Sequence, residues 1–330
     1  MKFSKISNSS LLHCPVEYNQ QGVFFSIVDY RNNYFSSDKL NKIIEFYEGF
    51  ENRDQLIRWM NERPKGVSNI HEVDGNKDVI VIVPTIDFNG KFARECRENI
   101  FKGLHIVFVE SGKDYYFNFA HNCNVGIKKS LEYDPKWIIV SNDDMVKIDT
   151  AKLLQEQLLA LNEKKYDVIF TQPSKYHSSS EKISRPNILF FVYSLIMNKN
   201  CGRTALKMYK KFLIRYLISP ISGKFSKLFK NGYQYLEIQD FGIFSSLWIS
   251  KVGGSIYDET FINAAEDTDL SIRIKIENAR TMIIDYKIGD LIGSTLDTGN
   301  LRAVRSIAGL TYLNWKWDNK KNVFNVNGST

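Results

Sequence analysis

KWIIVSNDDM, residues 136–145, carries a short β-branched core that ends on Asn142, Asp143 and Asp144. The apolar run predicts a buried strand. Adjacent carboxylates at its end repel each other and are costly to desolvate. Two readings meet here. Asn and Asp are common turn residues where a strand reaches the surface. Alternatively the acids face a positive charge, since residues i and i+2 of a strand-end turn can share one cation.

Outward from this stretch, DVIVIVPT (78–85), LHIVFVESG (104–112), YDVIFTQ (166–172) and TMIIDY (281–286) read as further strands. KFARECRENIFKG (91–103), FAHNCNVGIKKSLEY (119–133) and AKLLQEQLLALNEKK (151–165) read as helices between them, the last with Leu154, Leu158 and Leu161 on one face. The alternation predicts an α/β fold, a mostly parallel sheet with helices on both faces. Ligands of such sheets bind at the carboxyl ends of the strands. Thr85, Glu110 and the 142–144 cluster all stand at such ends. Upstream, FFSIVDY (24–30) reads as a strand, 36–50 and 53–66 as helices, and VDGNKD (73–78) as a linker. The organisation expected is an N-terminal extension (1–76), a main domain (77–295) interrupted by a basic insertion (178–237), and a tail (296–330).

Composition narrows the class. The 330 residues are 43% hydrophobic, ample for a large core. Cys14, Cys96, Cys123 and Cys201 are scattered without C-x-x-C spacing, which argues against a zinc site or a disulfide framework. The first twenty residues lack the apolar core of a signal peptide, and the longest apolar run, 188–197, is too short to span a bilayer. A cytoplasmic protein is expected. The net charge is +7, yet residues 182–236 hold eleven Lys and Arg and no acid, leaving −4 elsewhere. Within them, Leu206, Tyr209, Leu213, Tyr216 and Leu217 recur near helical spacing with Lys207, Lys210, Lys211 and Arg215 between. This basic amphipathic helix suits an anionic membrane surface on the inner face of the cell membrane, or else packs its apolar face into the protein. No nucleic-acid-binding motif accompanies the charge, so nucleic acid is not an expected partner.

Five segments, in order, resemble the inverting, metal-dependent glycosyltransferases of family 2, whose fold is termed GT-A. They are VIVPT (81–85), VFVESG (107–112), FAHNCNVGI (119–127), VSNDDM (140–145) and KVGGSIYDETFINAAEDTDLSIRI (251–274). The resemblance spans about 78–295. It implies a nucleoside-diphosphate sugar donor, a hydroxyl acceptor on a glycan or lipid-linked glycan, and Mg²⁺ or Mn²⁺. Asp144 and Asn142 would hold the metal. Asp290, where the family often has a histidine, would add an oxygen ligand. Pro84, Thr85, Asp87, Glu110, Asn124, Gly126 and Asp143 would line the donor site; Glu110 stands where the family has Asp and is one methylene longer. A helix cap or ion pair is the alternative for Glu110. Asp267 would be the general base, with Glu266 behind it; capping of the helix they open is the plainer role. The Gln/Arg-x-x-Arg-Trp motif of processive synthases is missing, which implies transfer of one sugar. The competing expectation is a membrane-associated protein of this fold without turnover.

Overall fold

The computed structural model describes residues 27–172, 181–184, 233–236, 238, 240–290 and 300–318. The basic helix expected over 205–230 lies outside these residues. The chain begins with α1 (Ile27–Phe35), α2 (Leu40–Glu48) and α3 (Arg53–Glu62). Strands β1 (Asn69–Val73) and β2 (Asn76–Thr85) follow, then α4 (Lys91–Glu95) running into one π-helical turn (Cys96–Ile100). Next come β3 (Leu104–Glu110), α5 (Phe119–Leu131), β4 (Trp137–Ser141), β5 (Met145–Lys147), α6 (Ala151–Ala160) and β6 (Val168–Phe170). β7 (Glu181–Ser184) and β8 (Tyr233–Leu236) stand at the two ends of the basic window. They are followed by β9 (Phe241–Ser245), α7 (Ser246–Lys251), α8 (Glu266–Ile276), β10 (Thr281–Ile283), β11 (Ile288–Asp290) and α9 (Asn300–Asp318).

Among the described residues one seven-stranded sheet forms in the order β1-β3-β2-β4-β9-β6-β10. The pairs β3–β2, β2–β4 and β6–β10 are parallel, while β1 and β9 run against their neighbours. The fold is therefore mixed α/β. The period-two alternation of a strand divides the core into two layers. Val79, Val81, Val83, Ile106, Phe108 and Ile139 face one cluster with Leu154 and Leu158 of α6. Ile80, Ile82, Val107, Val109 and Ile138 face the other with Cys123 and Ile127 of α5 and Leu270 and Ile274 of α8. Burial on both faces is why these strands read as unbroken apolar runs rather than alternating ones.

Three local expectations change. Residues 27–35 form a helix, not the strand expected over 24–30. Tertiary contacts override the β-branched Ile27 and Val28: Phe35 packs on Phe46 with ring centroids 5.1 Å apart, and Asn32 accepts from Arg63 at 2.7 Å. The linker expected over 73–78 is mostly strand: Val73 ends β1, an edge strand whose residues each pair across to β3, and Asn76 opens β2. The helix expected over 91–103 is short and ends in a π turn whose Cys96 thiol donates to the Asp143 carbonyl at 3.3 Å. The third core cluster joins α1, α2 and α3 to α9 and to Phe261 and Ile262. No helix among the described residues is long and apolar enough to cross a membrane.

Candidate functional site

The carboxyl ends of β2 and β4 open into a cavity of about 170 Å³. Its walls bring together Pro84, Thr85, Asn142, Asp143, Glu266 and Asp267, six of the sequence-predicted residues. The remaining walls include Asp240, Arg302 and the turn Asn263–Ala265.

Each wall is held by identifiable contacts. Thr85 Oγ1 donates to Asp143 Oδ2 at 2.7 Å, joining the ends of two parallel strands. Asp143 and Asp144 are both buried. Burial pushes the Asp143 carboxyl up to about 6, with the Thr85 hydroxyl opposing and the Asp144 charge adding. Asn142 donates through Nδ2 to Asp240 Oδ1 at 2.7 Å and through its backbone N–H to the Asp240 carbonyl at 2.9 Å. Asp240 is present because β9 runs antiparallel to β4, with Phe241 paired to Ser141.

The opposite wall is the start of α8. Ala265 precedes the helix with φ 72° and, as the N-cap residue, makes no side-chain capping bond. Asn263, also left-handed at φ 53°, bolts this turn to α5: its Oδ1 accepts from Phe119 N at 2.8 Å and its Nδ2 donates to Phe117 O at 3.2 Å. Glu266 is buried, and its Oε2 has no hydrogen-bond partner among the described residues. Burial, then the neighbouring Asp267 charge, holds Glu266 well above the usual carboxylate range, with Arg302 opposing. Asp267 Oδ1 accepts from the Thr268 N–H at 2.7 Å. Asp269, on the same turn, accepts instead from Lys316 Nζ at 2.8 Å and Trp317 Nε1 at 2.9 Å, and so anchors α9.

Other expected residues lie off the cavity wall. Asn124 exchanges hydrogen bonds with the backbone of Tyr257, donating at 2.9 Å and accepting at 3.1 Å, and so ties α5 to the 251–262 segment. A Cβ on Gly126 would meet Ile82 Cγ2 at 2.4 Å, so glycine lets α5 close onto the sheet. Glu110 stands at the end of β3, paired across to Thr85, but its oxygens accept from Phe88 N at 3.1 Å and meet His71 Nε2 at 2.8 Å. The Phe88 N–H and then the His71 ring hold the Glu110 carboxyl below the usual range. Asp87 shapes its own turn, accepting from Asn89 N at 2.8 Å. These four do not line this cavity; packing, hydrogen bonds and local turns engage them in the structure.

The metal expectation rests on donor chemistry. Asn142, Asp143 and Asp144 offer oxygen ligands, the set that suits a hard divalent cation. A cation there would relieve the burial and like-charge repulsion that raise Asp143. Asp290 pairs across to Met145, which places its backbone beside Asp144; its side chain lies outside the described residues. Among the described residues no three His, Cys, Asp or Glu side chains form a ready cage. The sequence reading missed Asp240 and Arg302. Asp240 directly precedes an apolar strand, a signal of the same kind as the 142–144 cluster; Arg302 lies in the tail with no local signal. No protein-family model matches the chain, and no curated protein matches its sequence.

Proposed function

We propose that this protein is an inverting glycosyltransferase of the GT-A type, moving one sugar from a nucleoside-diphosphate donor to a hydroxyl on a glycan or lipid-linked acceptor. One observation carries the reading. Asn142 and Asp143 at the end of β4 and Glu266 and Asp267 of α8, far apart in the chain, line the same small cavity, with Asp144 buried next in the chain to Asp143. That is the pairing glycosyl transfer requires: oxygen ligands for the cation of a diphosphate at one wall, a proton acceptor at the other.

In this reading the acceptor hydroxyl attacks the anomeric carbon as the bond to the diphosphate breaks, through an oxocarbenium-like transition state. Asp267 takes the hydroxyl proton. Glu266, held toward its protonated form, is a hydrogen-bond donor at neutral pH rather than a second base. Like charges on adjacent carboxyls divide the roles in this way. Asn142, Asp144 and Asp290 would hold Mg²⁺ or Mn²⁺, which when bound offsets the charge gathering on the leaving diphosphate. Thr85 fixes Asp143 beside them. Pro84 and Thr85 shape the floor on which the donor lies. A cytoplasmic site at an anionic membrane surface, through the basic insertion, fits a lipid-linked acceptor.

The test is a panel of UDP-, GDP- and dTDP-sugars assayed for stabilisation against heat with and without Mn²⁺. At least one donor should raise the melting temperature only with the metal, and Asp144→Ala should remove that rise. If no donor stabilises the protein under either condition, the reading fails.

A further inference from the structure

Beside the acidic cavity lies a second one of about 310 Å³, between the end of α1, the loop after β3 and α9. Its charge is opposite. Arg63, Lys113, Arg302 and Arg305 line it, against one carboxylate, Asp114. That carboxylate is already engaged, accepting from Val67 N at 2.8 Å and Tyr116 N at 2.7 Å.

The two inner guanidiniums are oriented but not neutralised. Arg63 is only 3% exposed, and it donates to Asn32 Oδ1 at 2.7 Å, Tyr115 O at 2.7 Å and Tyr116 O at 3.0 Å. Arg305 donates to the carbonyls of Phe35 at 3.2 Å and Ser37 at 2.7 Å. All these acceptors are neutral, so they fix the forks in place and leave the positive charge standing. Asp114 is the one counter-charge and acts on Arg63, so four cations stand against a single carboxylate and the cavity keeps a net positive charge that favours an anion. Arg302 and Lys113 are exposed, and among the described residues neither lies in an ion pair. Planar guanidinium forks match phosphate oxygens two at a time.

The cavities share Phe117, Asn263 and Arg302 as walls, so an anion in the second lies next to Glu266 and Asp267 of the first. We propose that the second cavity is an anion subsite that holds a phosphoryl group of the acceptor while its hydroxyl reaches the acidic cavity. That the anion belongs to the acceptor rests on the glycosyl-transfer reading; the affinity for phosphoryl groups does not. The N-terminal helices gain a function by it: α1 supplies one wall and the residue after α3, Arg63, the deepest charge.

Calorimetric titration of inorganic pyrophosphate into the full-length protein, without metal or nucleotide, tests the subsite. Saturable binding is expected, weakened roughly tenfold in Arg302→Gln and in Lys113→Gln, because each removes one charge-assisted bond. Both side chains are exposed, so folding is spared. Absence of saturable binding, or the same affinity in both variants, overturns the proposal. Displacement of pyrophosphate by a nucleoside diphosphate also overturns it, because the cavity would then belong to the donor. A short prenyl pyrophosphate in micelles and a sugar 1-phosphate separate the sources: tighter binding of the first supports a lipid headgroup, tighter or equal binding of the second a soluble acceptor. Pyrophosphate binding that persists while every donor fails to stabilise the protein removes the glycosyl-transfer reading and keeps the subsite.

Discussion

Asn142 and Asp240 are joined twice, side chain to side chain at 2.7 Å and backbone N–H to carbonyl at 2.9 Å, across the ends of two antiparallel strands. With its Nδ2 donating to Asp240, the Asn142 amide keeps its oxygen as the acceptor available to a cation. Asp240 is thus a positioning residue for the candidate metal end. Asp240→Ala is expected to lower the Mn²⁺-dependent stabilisation by donor at least tenfold in apparent affinity, since a charge-assisted hydrogen bond contributes about 1.5–3 kcal/mol. Asp240→Asn, which keeps an acceptor oxygen for Asn142, should retain most of it. Equal losses in the two variants, read from melting curves at a series of donor concentrations, would assign Asp240 a direct role instead.

Gly126 decides how closely α5 lies on the sheet. An added methyl would meet Ile82 Cγ2 at 2.4 Å, so Gly126→Ala should destabilise the fold by about 1–3 kcal/mol through overpacking. Adding Ile82→Ala removes the obstructing atom, and the double variant should be more stable than the sum of the single losses. Strict additivity in urea denaturation would mean that the two positions do not touch.

Lys316 joins two acids, Asp258 Oδ2 at 2.6 Å and Asp269 Oδ2 at 2.8 Å, and Asp269 is 1% exposed. Lys316→Met leaves that buried carboxylate without its cation, at a cost of about 3 kcal/mol. The pH sign follows from Asp269, whose carboxyl is raised by burial. A raised acid binds its proton more tightly in the folded chain than in the unfolded one. Stability therefore falls as the pH climbs from the unfolded value through the folded one. The deficit of the variant should be larger at pH 8 than at pH 4.5. Chemical denaturation at the two values measures it, and a deficit independent of pH would remove the buried-charge explanation.

Asp167 behaves in the opposite sense. Arg280 donates to it from Nε at 2.9 Å, from a terminal nitrogen at 2.6 Å and from its backbone N–H at 2.8 Å. These bonds hold the Asp167 carboxyl below its usual range. Its contribution is fully present above the unfolded value near 3.8 and is lost as the pH falls through the lower folded value. Asp167→Asn should cost about 1–2 kcal/mol at pH 7, the lower part of the range for charged bonds because Arg280 is half exposed. The gap between the proteins should close under acid conditions. A gap that stays constant down to pH 2.5 would show that the ion pair is not its source.

Much of the fold was legible in local pattern. The runs at 78–85, 104–112 and 136–145 announce β2, β3 and β4 because a strand buried on both faces must be apolar throughout. Leu154 and Leu158 announce α6 because helical neighbours recur every three to four residues. The acids at the ends of these elements were visible for the same reason: an acid next to an apolar run is locally conspicuous. Periodicity says nothing of which strands lie side by side or in which direction. Long-range pairing inserted β9 antiparallel between β4 and β6 and so brought Asp240 to Asn142. The packing of α1–α3 against α9 turned 27–35 into a helix and carried Arg302 to the wall between two cavities of opposite charge. Close packing also assigned Gly126 to helix–sheet contact, and hydrogen bonds drew Asn124 and Glu110 into internal ties. The chain by itself determined its elements and which of their ends were acidic, because those depend on neighbours a few residues apart. Which ends face one another was decided by the tertiary structure alone, because that depends on burial shared between segments distant in the chain.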